Sequence, residues 1–353
     1  MRIVHTQAEL DREYPLARNE AMSSFGDDHM YIERYIEHAK HVEVQVMGDS
    51  HGHLVHMFER DCSVQRRNQK MIEIAPAVGL DLKLREQICA AAAKFMAAMH
   101  YENAGTVEFL VEKGQFYFME VNPRVQVEHT VTEAITGLDI VQAQLQVAAG
   151  ADLFTDLKWP QQEQMTFRGA AIQCRITTED PSNNFMPDTG TIRTYRSPGG
   201  LGVRLDVGNA YAGAVVTPFF DSLLVKVGTY AQTFASACAK MERVLHEFKI
   251  IGVKTNLPFL ETVIDHPVFK SGQAETRFID NTPELFAFKK PVSLSNNLLT
   301  YISDVTINGF QGKDPHKPQV YPELDYQPGK IHATTATPNL VAMLKDGGSK
   351  AVT

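Results

Sequence analysis

The clearest chemistry in this chain lies in nine residues, Glu120 to Glu128, which read Glu-Val-Asn-Pro-Arg-Val-Gln-Val-Glu. Polar groups fill every second position, in the order acid, amide, cation, amide, acid. Side chains of an extended chain alternate between faces, so Glu120, Asn122, Arg124, Gln126 and Glu128 are expected to project together. A solvated strand face would carry Lys, Thr and Ser in no particular order. This row offers hard oxygen ligands at one end. At the other it sets an anion-binding cation beside a carboxylate that can serve as a base. Pro123 cannot donate to a ladder, so the row is expected to run off a strand end into an extended loop.

A hairpin can complete the ligand set. Residues 106–111 and 116–121 read as its strands, with Lys113 and Gly114 between them. A three-residue loop, Lys113 to Gln115, sets Glu108 opposite Glu120. A two-residue loop sets Glu108 opposite Met119 and puts the acids on opposite faces. Opposed carboxylates repel unless a cation sits between them. With the Asn122 oxygen they suit Mg²⁺ or Mn²⁺ held jointly with substrate phosphates. A merely solvated acidic face is the weaker reading, because Phe109, Phe116 and Phe118 mark a packed hairpin.

A second cluster, ERDCSVQRRNQK from Glu59 to Lys70, is dense in planar polar and cationic groups. It reads as a loop that can grip phosphate or bicarbonate through charge-assisted bonds. A basic loop alone is usually just solvated, so its weight comes from the acidic row. Arg175 lies in a strand, where a structural ion pair with Glu179 or Asp180 is the plain reading. His41 is by default a core or surface histidine. Gly199 to Gly202 superficially resembles a phosphate loop, but it sits between strands, and a hairpin turn is expected there.

The elements that must position these groups fall into three blocks. In the first, to residue 36, residues 11–25 look helical and polar, and 30–36 read as a strand ending in a connector. The second, 37–165, opens with HVEVQV (41–46), which alternates cleanly, turns at Gly48 to Gly52, and returns along 54–58. Asp81 can cap a helix running to His100, with Leu84, Ile88, Ala92, Phe95 and Met99 on one stripe. Asp139 caps a further helix that stops at Gly150. The third block, 166–290, has short strands broken by Pro and Gly. A helix over 235–248 follows, with Cys238, Met241, Leu245 and Phe248 inward, and another over 256–264. Residues 291–353 read as a linker, with a possible helix start at 339–344.

Composition fits an ordinary globular chain: 353 residues, 44% hydrophobic and 22% charged. The net charge of −8 argues against nucleic-acid or anionic-membrane binding. No apolar run approaches a bilayer span of roughly 18–20 residues. Cys62, Cys89, Cys174 and Cys238 are far apart and form no C-x-x-C, so neither a zinc site nor a disulfide framework is expected. A reducing, cytoplasmic setting fits.

With these residues in view, the chain resembles the biotin carboxylase region of the biotin-dependent carboxylases, an ATP-grasp family. The resemblance runs from residue 1 to about 325. It is carried by HVEVQV (41–46), ERDCSVQRRNQK (59–70), AGTVEFL (104–110), MEVNPRVQVEHTVTE (119–133), QCRITTEDP (173–181) and PFFDSLLVK (218–226). RFIDNTPELF (277–286) and VTINGF (305–310) are similar to pyruvate carboxylases rather than to stand-alone acetyl-CoA carboxylase subunits. The fold implied is α+β: an ATP-grasp large lobe, an antiparallel sheet with helices, followed by a biotin carboxylase C-terminal domain.

The reaction implied makes carboxyphosphate from ATP and bicarbonate, then carboxylates N1 of biotin on a carrier domain. The carboxyl group is destined for pyruvate at a carboxyltransferase domain. Carried over by position, Glu108, Glu120 and Asn122 resemble the ligands of the divalent metal ions on the ATP phosphates. Glu128 resembles the base for bicarbonate, and Lys70, Arg124, Gln126 and the backbone of Val127 the bicarbonate clamp. Arg175 resembles the arginine that stabilises the biotin enolate. Glu33 through Ile36 resembles the segment that holds adenine. His41 and Gln65 resemble ribose and nucleotide contacts. A homodimer within a tetrameric parent is implied, with a contact near Leu201 and Arg204.

Two departures stand out. Asn68 occupies a position where the family usually has His; it can hydrogen-bond but cannot carry charge. The family also has an N-terminal domain, a glycine-rich lid loop and two phosphate-contacting lysines ahead of the point where Met1 aligns. The chain therefore reads as an internal fragment, with weak or no ATP-dependent activity alone. Competing readings are a dimerisation module with partial nucleotide binding, the biotin carboxylase of an acyl-CoA carboxylase, or another ATP-grasp ligase such as one making carbamoyl phosphate.

Overall fold

The computed structural model describes residues 2–288, 298–303 and 306. Residues 1–289 form one compact unit and 290–353 a second. In the second, residues 298–303 are helical. The possible helix start at 339–344 lies outside the described residues.

The first unit is built on strands β1 (Lys40–Gly48), β2 (Leu54–Arg66), β3 (Gln69–Ala75), β4 (Asn103–Glu112), β5 (Gln115–Asn122) and β6 (Ala170–Thr177). Two more, Val203–Val207 and Leu223–Ala231, complete an eight-stranded sheet. From one edge the order is Val203–Val207, Leu223–Ala231, β6, β3, β2, β1, β4, β5. Every pairing is antiparallel. The β3–β6 pairing carries the sheet from the second block into the third without a break.

Alternation in β1 divides the two sheet faces. Val42, Val44 and Val46, with Val107, Phe109 and Val111 of β4, pack under helix α2 (Leu82–Ala98). The intervening Glu43 and Gln45 are fully buried on the opposite face. Asp81 caps α2 as expected, accepting from the Leu84 amide at 3.1 Å, which contributes about 1 kcal/mol. The inward stripe of α2 is Leu84, Ile88, Cys89, Ala92 and Met96. Phe95 and Met99 are exposed instead, because the helix ends at Ala98 and its stripe turns toward Met96.

Helices α3 (His129–Thr136) and α4 (Ile140–Ala148) cover the other face. Asp139 caps α4, and Gly150 takes a left-handed φ of 94° just beyond its end. Helices α5 (Phe234–Glu247) and α6 (Leu257–Asp265) close the third block over β3, β6 and Leu223–Ala231. Cys238, Met241, Leu245 and Phe248 all point into that core, as the pattern implied.

Several expectations need correction. Residues 30–36 form no strand; they are coil after helix α1 (Gln7–Phe25), exposed apart from half-buried Ile36, with no partner strand among the described residues. The basic segment 59–70 is not a loop. It is the paired half of β2 and the start of β3, joined by a turn at Arg67 (φ 49°) and Asn68 (φ 62°). Both turn residues are left-handed, the geometry that matches strand twist in a two-residue hairpin, and Asn tolerates it. Gly199 to Gly202 is a turn but not a hairpin: Thr194–Arg196 pairs with Lys249–Ile251, whereas Val203 pairs with Thr229.

The β4–β5 hairpin resolves the register question in an unforeseen way. Its loop has two residues, since Glu112 pairs with Gln115, and Lys113 (φ 50°) and Gly114 (φ 74°) are left-handed. A β-bulge between Glu108 and Phe109 absorbs Met119, so Glu108 still faces Glu120. The acids oppose each other, through a bulge rather than a longer loop.

Candidate active site

The polar face of the sheet is a connected array of charges under α3. From β1 come His41, Glu43 and Gln45; from β2, Arg60; from β4, Thr106 and Glu108; and Gln126 and Glu128 precede the helix. All are buried. Buried polar groups persist only when their partners are present, and here the partners can be named one by one.

Lys70 is shared by three carboxylates. Its Nζ donates to Glu43, to Glu108 Oε1 at 2.9 Å and to Glu128 Oε1 at 2.7 Å. Burial alone would lower the ammonium pKa, but the surrounding carboxylates raise it, so Lys70 stays charged. Glu128 Oε2 accepts from Arg175 Nη2 at 2.9 Å. Arg175 is held in turn by Glu73, at 2.6 Å from its Nε, and Gln173 donates to the other Glu73 oxygen at 2.9 Å. Arg175 thus does form an ion pair, but with Glu73 and Glu128, not with Glu179 or Asp180.

Glu108 Oε1 collects three donors: Lys70, Asn122 Nδ2 at 2.9 Å and Gln126 Nε2 at 2.7 Å. Its Oε2 meets His41 Nε2 at 2.5 Å. Burial alone would raise the pKa; the bond to His41 and the charge of Lys70 outweigh it and hold the carboxyl at about 2. Asn122 Nδ2 also reaches Glu120 Oε1 at 3.2 Å, so one amide bridges the two opposed acids. It occupies the place between them that a cation would take. Two carboxylates and an amide oxygen, freed by rotating that amide, make a hard donor set that fits Mg²⁺ or Mn²⁺.

The row from Glu120 does not stay extended. β5 ends at Asn122 and the chain turns, so Glu128 sits at the N-terminal boundary of α3. Gln126 and Glu128 are buried, whereas Glu120 and Arg124 are exposed. Arg124 remains beside the row, with Nη2 3.4 Å from Asn122 Oδ1. The Val127 carbonyl accepts from Lys226 Nζ at 3.2 Å. Gln65 is half-buried at the end of β2 and pairs with Lys70 across the hairpin; Asn68 is exposed in the turn. Glu33 is exposed, Ile36 is half-buried, and both lie in coil.

Sequence reasoning brought Lys70, Glu108, Asn122, Gln126, Glu128 and Arg175 into view, and they converge. It gave no individual role to Glu43, Arg60, Glu73, Gln173 or Lys226. Glu43 carried a readable signal: in HVEVQV it alternates with His41 and Gln45, just as the later row alternates. Arg60 lay inside the basic segment 59–70, though nothing there singled it out from its neighbours, and Glu73 carried no signal, because only sheet pairing brings it under the site.

Comparison with known proteins identifies the family. Residues 1–155 match the ATP-binding domain of the carbamoyl-phosphate synthase L chain family, and 173–281 the biotin carboxylase C-terminal domain. Pyruvate carboxylase of Bacillus subtilis is 58% identical over 313 residues, 88% of this chain and 27% of that protein. Pyruvate carboxylase of Staphylococcus aureus is 54% identical over 338 residues, 96% of this chain and 29% of that protein. The chain therefore spans less than a third of the length of these relatives. Among solved structures, Rhizobium etli pyruvate carboxylase with acetyl coenzyme-A superposes with a TM-score of 0.79 at 51% identity, covering 87% of this chain and 28% of that one. The biotin carboxylase domain dimer of Hydrogenobacter thermophilus 2-oxoglutarate carboxylase, in complex with MgADP, ADP and bicarbonate, gives 0.77 at 42%, covering 82% and 63%. The sheet, the paired acids, the Lys70–Glu128–Arg175 array and these matches converge on one conclusion: the chain belongs to the biotin carboxylase family of ATP-grasp proteins, in the branch found within pyruvate carboxylases.

Proposed function

We propose that this chain forms the catalytic part of a biotin carboxylase serving pyruvate carboxylation. A bicarbonate oxygen attacks the γ-phosphorus of ATP and ADP leaves; the carboxyphosphate formed then releases inorganic phosphate as its carboxyl group passes to N1 of biotin on a carrier domain, and the phosphate carries off the N1 proton. A carboxyltransferase domain of the parent enzyme then passes that group to pyruvate, giving oxaloacetate. The observation that carries this reading is Glu128: a buried carboxylate clamped between Lys70 and Arg175 and beside the acid–amide set of Glu108, Glu120 and Asn122.

Each group has a physical task. Lys70 and Gln126 point donors into the site and can hold an oxyanion in place of the Glu108 and Glu128 oxygens they now meet. Arg124, exposed beside Asn122, supplies a further cation, and the Val127 backbone lies within the same turn. Glu128 takes the bicarbonate proton, and its neighbouring cations hold the nucleophile oriented. Arg175, with one side fixed by Glu73, offers the other to the enolate oxygen that develops on the biotin ring. Mg²⁺ or Mn²⁺ on Glu108, Glu120 and Asn122 would neutralise the nucleotide phosphates. His41, Gln65, Asn68 and the coil from Glu33 to Ile36 are assigned to the nucleotide.

Self-association through the face carrying Leu201, which is 95% exposed, belongs to the same proposal. The domain division at residues 36, 165 and 290 follows the resemblance. Among the described residues no helix is long and apolar enough to cross a membrane, and four buried free thiols fit a reducing compartment such as the cytoplasm.

The test is bicarbonate-dependent ATP cleavage by the full-length enzyme carrying this sequence. Glu128→Gln is expected to lower turnover by about 100-fold or more with nucleotide affinity retained. Turnover at the unsubstituted level in Glu128→Gln would refute the base assignment.

A further inference from the structure

Arg60 is fully buried in the centre of the polar sheet face, and no role in the proposed reaction has yet been given to it. Its guanidinium has five N–H donors and meets five acceptors. Nε donates to Glu43 Oε1 at 2.6 Å. Nη1 donates to Gln45 Oε1 at 2.7 Å and Thr132 Oγ1 at 3.0 Å. Nη2 lies 3.4 Å from both Thr106 Oγ1 and Gln126 Oε1, two longer bonds. β1, β4, α3 and the turn before α3 are thereby tied to one planar group.

The contact with Gln126 has a chemical consequence. Arginine only donates, so it accepts no orientation of Gln126 but the one with Oε1 toward the guanidinium. The NH₂ must then face the opposite way, and it meets Glu108 Oε1 at 2.7 Å, the same oxygen that Lys70 reaches. An amide that is free to flip would present an acceptor there half the time, and an acceptor repels an oxyanion. The second arm, through Glu43, holds Lys70 from below.

We infer that Arg60 is a positioning residue for the oxyanion site, fixing Gln126 as a donor toward bound bicarbonate and steadying Lys70 through Glu43. The inference rests on the bicarbonate reading given above. A lysine at this position keeps the charge for Glu43, but its three donors cannot span both Glu43 and Gln126.

The experiment uses ¹³C-bicarbonate as the probe, with its binding to the full-length enzyme followed by NMR line broadening and MgADP affinity measured in parallel. Arg60→Lys is expected to weaken bicarbonate at least tenfold and MgADP less than twofold, a split that a general loss of structure would not give. Gln126→Ala should cost a similar factor. The double variant should lose no more than the larger single loss, because Arg60 acts through Gln126. Should Arg60→Lys fail to fold, Arg60→Met with Glu43→Gln removes both charges of the buried pair; because it also frees Lys70, it is read by the split between bicarbonate and MgADP and not by its combination with Gln126→Ala. Unchanged bicarbonate affinity in the Arg60 variant, an equal loss of both ligands, or additive losses with Gln126→Ala would overturn the inference alone. Absence of saturable bicarbonate binding by the unsubstituted enzyme would overturn it together with the reading it rests on.

Discussion

Lys70 Nζ and Glu128 Oε1, 2.7 Å apart, join the second strand of a hairpin to the start of a helix 58 residues later. The ammonium also serves Glu43 and Glu108, so three acids depend on one cation. Arg60 and Arg175 supply the remaining positive charge, from below Glu43 and from beside Glu128. The array is therefore a near-balanced set of buried charges in which Lys70 and Arg175 are each shared between acids and Arg60 serves Glu43 alone. Such an array carries high stakes: intact, it holds these side chains in one geometry; with one member missing, the rest are left uncompensated.

Removing that shared cation should be costly in stability as well as function. Lys70→Gln leaves Glu43, Glu108 and Glu128 without their common partner, and breaking a buried pair costs on the order of 3–5 kcal/mol. Urea titration is expected to show a loss of unfolding free energy of that scale. An unfolding free energy within about 0.5 kcal/mol of the unsubstituted chain would mean that water already screens the array.

The acid limb of stability should report the same groups. Burial alone would raise both carboxyls; Arg60 and Lys70 outweigh it at Glu43, and His41 and Lys70 at Glu108, holding each at about 2 against an ordinary value of 4.5. A carboxyl depressed on folding contributes stability that is fully present above its unfolded pKa and lost as pH falls through the folded one. The window is thus pH 4.5 down to about 2. Glu73 runs the other way: burial raises it despite Arg175, so its contribution weakens as pH rises through its folded value. Unfolding free energy measured against pH should fall across the acid window, and Glu108→Gln should flatten that slope. An unchanged slope would contradict the coupling to His41 and Lys70.

How much of this was legible beforehand depends on how far apart the partners lie. The alternation of 41–46 foretold a strand with one polar face, and the caps Asp81 and Asp139 sit where the sequence put them. Glu108 opposite Glu120 was legible only as one of two registers. The bulge at Met119 that decides it has no signature in turn composition. The strand expected at 30–36 failed because apolar alternation does not make a strand without a neighbour to pair with. Arg175 was misassigned to Glu179 or Asp180 because its true partners are 102 and 47 residues away, within reach only after β3, β6 and α3 assemble.

The turn at Asn68 separates backbone from side-chain roles. At a φ of 62°, a β-branched residue is strained by roughly 1–2 kcal/mol. Asn68→Val should therefore lower stability by about that amount, while Asn68→Gly stays within a few tenths of a kcal/mol. If the side chain also touches nucleotide, MgADP affinity falls in both variants. Equal stability of Asn68→Val and Asn68→Gly would show that the hairpin turn is not under this constraint.

The acid pair offers the most direct check on the metal assignment. Mn²⁺ binding, read by its EPR signal in the presence of ADP, should weaken about tenfold or more in Asn122→Ala and in Glu108→Gln. The reasoning differs between the two. Asn122 is the group that now bridges both acids, so alanine removes an oxygen ligand and leaves Glu108 and Glu120 facing each other without the amide between them. Glu108→Gln removes charge but keeps shape, so His41 and Lys70 keep a partner at this position that is a weaker acceptor. The Asn122 variant should accordingly regain stability as Mn²⁺ is added, because the ion relieves the repulsion between the acids, whereas the Glu108 variant should not. Identical Mn²⁺ affinity in Asn122→Ala and the unsubstituted chain would place the ion elsewhere than between these two carboxylates.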